Sequence, residues 1–501
     1  MTSRSPWKRP NERNSAASWT PPTENWGSGV APSAFRKLTV ALSLTSVLAH
    51  CDVERIHEHS LRLLQKVGVV YNTPRALSIL EAHGAAVDYA RMWASLPRQL
   101  VEWAIEQAPQ KVRLCARDPA RDVVLDGRRP HHTTDSQGTE AIDLETGERR
   151  DSTAEDLGRG LLFADALDRV EIVNVMVAAG DVPSHLRTIR HFAMAFAQTS
   201  KHVRTGILNA QQVPFVVAMA KAAAGVDEFR PIFSAVDCTI SPLMHDGPMT
   251  EACIELVGLE VPILVYPMPL AGGTSPVTAA GTILLHNVEF LSGLVLFQTA
   301  NPGAPIIYGT GASQLDMQSG GYGAGPDGHR LQVGLRDLAR FYGLPVNLSG
   351  LWTCSPDLGA QYGHEATAAA LLAYLAQADE IYSVGLLGSA QILSLEKMVL
   401  DNHLIHQIEA MTGPIRVDEE RLQADVIGRV GIGGHYLSEP ETRAFTRHEY
   451  VPRWPPVGKS MREIAHGEAL HILHNHQPPP LPPGAGQAIE DIVAEADQAL
   501  A

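Results

Sequence analysis

The sequence predicts an α/β fold: a closed (β/α)8 barrel of TIM type, with an N-terminal helical extension and a C-terminal helical tail. Three observations carry this. Short apolar or β-branched runs alternate with helix-like stretches from about residue 132 to about residue 385. They recur roughly every 30–40 residues, the length of one strand plus its crossover helix. Their count is eight, the arithmetic of eight parallel strands closing on themselves. A doubly wound open sheet is the alternative that the same runs allow.

Residues 1–35 are rich in Ser, Pro, Asn and charge and are expected as a flexible arm. Residues 36–125 read as a helical region. There Val53, Ile56, Leu63, Leu64 and Val67 fall on one helical face that Gly68 can end. Thr73-Pro74 is a cap followed by proline at the first helical position, and Pro97 opens a helix carrying Leu100, Val101, Ala104 and Ile105. The barrel is expected over 126–455. Near its start "AIDLETGERR" reads as a hairpin turning at Glu145-Thr146-Gly147. The strands are expected near 132–137, 171–177, 202–208, 231–237, 262–268, 304–310, 345–350 and 380–385. Over 456–501 a linker, "HNHQPPPLPPGAG", precedes the helix "QAIEDIVAEADQAL", which is expected to dock on the body or on a second subunit.

Composition narrows the function. Hydrophobic residues make up 45% and charged residues 19%, enough to bury a sizeable core. A net charge of −15 argues against a nucleic-acid partner. Five cysteines with no C-x-x-C pair suit a reduced, cytoplasmic setting. No uninterrupted apolar run has the length of a membrane span, and "LTVALSLTSVLA" lacks a cleavage pattern behind it. The glycine-rich stretches lack a phosphate-binding lysine and a G-x-S-x-G elbow. Histidines cluster at 471–476, at His403 and His406, and at His131-His132, but no ligand set is evident and no metal is expected.

In a barrel of this kind the chemistry sits at the C-terminal ends of the strands. That end gathers Asp135, Asp181, Asn209, Asp237, the loop "MPLAGGTSPVT" and the glycine-rich stretch "YGTGASQLDMQSGGYGAGPDG" (308–328). Tyr266, Tyr308, Trp352 and Tyr382 fall at or just after strand ends, and Tyr322 lies in the glycine stretch. Together they are expected to wall a pocket for a quaternary ammonium, which has no N–H to donate and is held by π faces and carboxylates.

Several stretches, in order, resemble the trimethylamine methyltransferase family, including its relatives that lack pyrrolysine. They are "ERIHEHSLRLLQKVGV", "DLETGERR", "TSKHVRTG", "PLAGGTSPVTAAGTILLHNVEFLSGLVL", "NPGAPIIYGT", "LDMQSGGYGAGPDG", "SPDLGAQYGHE", "SLEKMVLDN" and "GIGGHYL". The resemblance implies a barrel methyltransferase of one-carbon metabolism. Such an enzyme passes a methyl group from a methylated amine to the cobalt of a separate corrinoid protein and keeps no tightly bound cofactor. Tetrahydrofolate is the alternative acceptor. The family's pyrrolysine would fall within "SGLWTCSPD", which makes Trp352 or Thr353 the replaced, catalytic position. Relatives of this type act on betaines, so a glycine betaine-like substrate is expected, with a homo-oligomeric enzyme.

Strand-end geometry then assigns roles. Tyr308, Trp352 and Tyr382, with Tyr266 and Tyr322, cradle the ammonium, and Asp237 or Asp316 is the counter-charge. The amides of Gly272, Gly273 and Thr274, with His364 and Arg330, receive the betaine carboxylate. The glycine loop lets a corrin approach and then covers the site. A non-catalytic betaine-binding barrel is one rival reading. A metal-dependent barrel lyase or hydrolase using His131 and Asp237 is another.

Overall fold

The computed structural model describes residues 46–318, 320–323, 325–449, 458 and 460–501. The arm expected over 1–35 lies outside them. Eight strands close into a barrel: β1 (His131–Thr134), β2 (Val170–Asn174), β3 (His202–Arg204), β4 (Phe233–Asp237), β5 (Ile263–Val265), β6 (Ile306–Gly309), β7 (Val346–Ser349) and β8 (Glu380–Val384). Every neighbouring pair is parallel, and β8 pairs with β1 to close the ring. β1 reads "HHTT" and carries no apolar residue, yet all four residues are buried. Its neighbours on both sides decide its state, which local propensity alone does not.

Among the described residues three α-helices precede the barrel: α1 (His50–Lys66), α2 (Pro74–Ala82) and α3 (Arg98–Gln107). The Thr73 hydroxyl accepts from the amide of Arg75, with Pro74 in the first turn. A two-stranded hairpin, Val112–Leu114 with Val123–Leu125, packs its apolar side on Ile172, Leu264 and Ile307 and plugs one end of the barrel. The hairpin expected at Glu145 forms between Glu140–Ile142 and Arg149–Asp151.

After each strand comes a helix: α4 (Ala154–Ala166), α5 (Ser184–Gln198), α6 (Val213–Ala224), α7 (Gly247–Val257), α8 (Ala279–Ala300), α9 (Pro326–Phe341), α10 (Ala360–Leu375) and α11 (Leu395–Thr412). α8, contrary to the expectation from uninterrupted apolar runs, has the length and composition of a membrane span, but it is mostly buried inside the fold. It is apolar on both sides because the barrel lies on one and α1 and α3 lie on the other. Among the described residues three shorter helices follow, Glu419–Leu422, Ala424–Val430 and Pro440–Glu449, and then the tail helices α12 (Met461–Asn475) and α13 (Ala485–Leu500). α13 docks on α5 and α6 of its own chain. It buries Ile489, Val493 and Ala496 and places Asp497 2.8 Å from His185 and Glu490 2.8 Å from Arg190.

Candidate active site

At the C-terminal ends of the strands lies a cavity of about 400 Å³. Tyr266, Tyr322, Trp352 and Tyr382 line it, with Asp135, Arg204, Asn347 and His329. Tyr266 follows β5 and Tyr382 sits on β8. Their rings meet edge to face with centroids 5.8 Å apart, and the Tyr266 hydroxyl donates to that of Tyr382. Gly309 makes room for this pair, since a Cβ there would stand 2.5 Å from the Tyr266 ring. Burial pushes the Tyr382 phenol up to about 12, so it stays protonated at neutral pH.

Behind the wall that carries Trp352 and Tyr382 stands the buried Lys397. Lys397 Nζ donates to the carbonyls of Leu351 and Ser383, each at 3.1 Å, and pairs with Asp401 at 2.7 Å. It thereby ties the backbone just before Trp352 to the backbone just after Tyr382. Leu351 and Ser383 both take positive φ, 64° and 97°, so the chain is strained where it presents these two rings.

Asp135 follows β1 and is 5% exposed. Its Oδ1 accepts from the Ser136 amide at 2.9 Å, while its Oδ2 has no hydrogen-bond partner. Burial pushes its pKa up to about 6. Deeper in the barrel, Arg204 of β3 grips Glu380 of β8 with two bonds of 2.7 and 2.8 Å, both side chains wholly buried. Burial alone would raise the Glu380 pKa, but the Arg204 charge and its hydrogen bonds hold it below the usual carboxylate range. Asn347 donates its Nδ2 to Glu380 at 2.9 Å and leaves its Oδ1 without a partner. Burial lowers the His329 pKa, which favours its neutral form.

The glycine-rich stretch is not a structureless loop. Ser313–Leu315 pairs with Leu270–Ala271 on one side and with Tyr322–Gly323 on the other, forming a small sheet that carries Tyr322 to the rim. A second hollow, about 450 Å³, lies on the flank beside the hairpin turn and the start of α12. Its charges pair among themselves, Glu396 with Arg462 at 3.3 Å and with His466 at 3.0 Å.

Several expected site residues stand elsewhere. Tyr308 points outward, because alternate residues of a strand face opposite sides and Ile307 takes the inward place. Its ring lies 3.9 Å from that of Phe290 on α8, and its hydroxyl donates to Asn287 at 3.1 Å. Asp237 also turns outward, into the space under α7 and α8, where it stands 3.4 Å from His245. Thr353 is wholly buried and donates to Glu365 at 2.6 Å. The amides of Gly272, Gly273 and Thr274 are spent within their own turn, on the carbonyls of Ser275 and Leu270 at 2.8–3.0 Å. Asp316 accepts from the Gln318 amide at 2.9 Å and borders a different hollow. Arg330 is exposed and pairs with Asp327 at 3.0 Å, and His364 is exposed on α10.

Of the histidine groups, His131 bonds Glu171 at 2.8 Å and His476 bonds Asp165 at 2.9 Å. Among the described residues no group of three or more His, Cys, Asp or Glu is arranged to hold a metal. Asp135 has no role legible from sequence beyond its place at a strand end, and Arg204, Glu380, Asn347 and Lys397 are functional residues that only the structure brings out. A signal was present for two of them: Arg204 and Glu380 are charges set inside runs otherwise suited to burial.

Residues 23–501 match the family described as trimethylamine methyltransferase (MTTB). A trimethylamine methyltransferase, MttB, of Desulfitobacterium hafniense is 33% identical over 460 residues, 89% of this chain and 93% of the relative. A glycine betaine methyltransferase of Desulfitobacterium hafniense strain Y51 is 27% identical over 473 residues, 90% of this chain and 97% of the relative. The solved hydroxylamine complex of MtmB is similar in fold, with a TM-score of 0.54 at 11% identity, covering 94% of this chain and 92% of that one.

Proposed function

The chain belongs to the trimethylamine methyltransferase family and is a methyltransferase; from that premise we propose that it moves a methyl group from a quaternary amine to the Co(I) of a corrinoid carried by a separate protein. The observation that carries this reading is the rim of the cavity. Aromatic rings from β5, β7, β8 and the glycine-rich sheet line the cavity around one buried carboxylate, that of Asp135, which no cation among the described lining residues pairs. That is the complement of a cation without hydrogen-bond donors.

The chemistry asks little of the protein's own side chains. A reduced cobalt brought to the rim supplies the nucleophile that attacks the N-methyl carbon. The C–N bond breaks, the electron pair stays on nitrogen, and a neutral tertiary amine leaves, with no proton to deliver. The phenols of Tyr266 and Tyr382 therefore serve as π faces and not as acids. Cys238 lines the cavity, but burial pushes its thiol up to about 12, so it offers no thiolate to accept the methyl group. The residues hold one end of the reaction in place and exclude water from it. Asp135 stabilises a charge that is full on the bound amine and already dwindling in the transition state, so it acts on KM more than on kcat.

The expected glycine betaine substrate retains the support of the similar betaine enzyme. It loses the carboxylate site first assigned to it, since Gly272, Gly273, Thr274, Arg330 and His364 do not line the cavity. The test is incubation of purified protein with trimethylamine, tetramethylammonium, choline or glycine betaine and, in parallel reactions, Co(I) cobalamin or tetrahydrofolate as the acceptor, followed by absorbance. Methylcobalamin forming with a quaternary amine supports the proposal. Methyl-tetrahydrofolate forming in its place moves the acceptor to the folate, and binding without transfer to either acceptor overturns the enzymatic reading.

A further inference from the structure

We infer that the amine this site takes is a monocation with a hydroxyl on its tail, an N-trimethyl amino alcohol, and not a zwitterionic betaine. The inference rests on the methyltransferase reading above and concerns the same cavity. Two properties carry it: the balance of charge around the cavity, and the kind of polar atom left without a partner.

Charge comes first. Asp135 and Arg204 are the ionised side chains among the described residues that line the cavity. Arg204 is already cancelled by Glu380 through two hydrogen bonds, and behind the wall Lys397 is cancelled by Asp401. One negative charge, that of Asp135, remains. A trimethylammonium group balances it. A betaine brings a carboxylate as well and leaves a buried surplus of negative charge, with no uncommitted cation to meet it.

The second property is donor against acceptor. Asp135 Oδ2 and Asn347 Oδ1 are buried, line the cavity and have no hydrogen-bond partner. Both are acceptors only. Asn347 has no choice of orientation, because its Nδ2 is engaged by Glu380. Ser383 Oγ, close to Asp135, also lacks a partner, and a turn of that hydroxyl can serve Asp135. Asn347 Oδ1 is then the acceptor that waits for an incoming donor. A hydroxyl donates to it, whereas a carboxylate presents only further acceptors.

Position gives the direction. Along β8, Glu380 pairs with Asn347 at one end and Val384 with Thr134, the residue before Asp135, at the other. The carboxylate therefore stands at the rim and the amide deeper in the barrel. The ligand runs from the mouth inward, with its methyl groups outward beside the rings and its hydroxyl toward Asn347.

The test is calorimetric binding of choline, its three-carbon homologue, tetramethylammonium and glycine betaine to the full chain and to Asn347→Leu. In the wild type one of the amino alcohols is expected to bind about tenfold more tightly than glycine betaine and than tetramethylammonium. In Asn347→Leu the advantage over tetramethylammonium is expected to fall to about one. Glycine betaine binding as tightly as the tighter-binding amino alcohol overturns the inference, and so does an unchanged ratio in the variant. The panel on the wild type decides the matter even if the variant does not fold. Selective amino-alcohol binding without methyl transfer to Co(I) would leave this inference standing and sink the proposed function. Tight binding and demethylation of glycine betaine would do the reverse.

Discussion

Asp135 spends stability on function. Its raised pKa means that between about pH 4 and pH 6 the folded chain holds a proton that the unfolded chain has released. Its contribution to stability is therefore fully present below the unfolded pKa and is lost as pH rises through about 6. Asp135→Asn is expected to unfold at a higher temperature than the wild type at pH 8, and to lose the part of the pH dependence that falls in that window. The same variant is expected to bind quaternary amines at least tenfold more weakly, with KM rising and kcat not falling. Titrating Kd against pH checks the sign: affinity falls as Asp135 protonates in the wild type and is flat in the variant. The aromatic rings give a second test. Tyr382→Ala removes one π face and is expected to raise KM between about threefold and thirtyfold. Tyr308→Phe, remote from the cavity, is expected to cost about 1 kcal/mol of stability through Asn287 and to leave KM unchanged.

At the level of the strand, alternation separates residues that the sequence lists side by side. β6 sends Ile307 inward and Tyr308 outward, so a run of promising residues at its end contributes only part of itself to the site. Gly309 then lets the Tyr266 ring lie against β6. Gly309→Ala is expected to displace Tyr266 and lower kcat/KM by at least tenfold while the fold persists, as near-ultraviolet circular dichroism would register. β3 and β8 meet across the interior through Arg204 and Glu380. Arg204→Met leaves a buried carboxylate unpaired and is expected to cost about 3–5 kcal/mol. The double variant Arg204→Met, Glu380→Leu is expected to recover much of that loss, which a thermal melt of the three proteins would show.

For the whole molecule, helices added before and after the barrel complete its core. α8 is apolar all round because α1 and α3 cover the face that a plain barrel helix turns to solvent. α13 closes the groove over α5 and α6, so the tail is part of the body. Val493→Asp puts a charge into that seam and is expected to lower the unfolding midpoint by several degrees, with little change in amine affinity at low temperature.

Seven apolar runs and the polar, β-branched run near 132, all at strand-and-helix spacing, were enough to read the closed barrel, and the C-terminal strand ends were enough to read which face holds the site. Both follow from periodicity and connection length, which belong to the chain itself. Trp352, Tyr382, Tyr266 and Tyr322 could be placed near that face for the same reason. What the sequence alone did not decide was the direction of each side chain and the partner of each charge. Tyr308 and Asp237 left the site because strand alternation and helix packing turned them outward. Arg204 lost its availability to Glu380, a residue 176 positions away, and Asp135 became the remaining charge of the cavity because the others were paired off. Pairing of that kind depends on which strands become neighbours in space, and only the folded ring settles it.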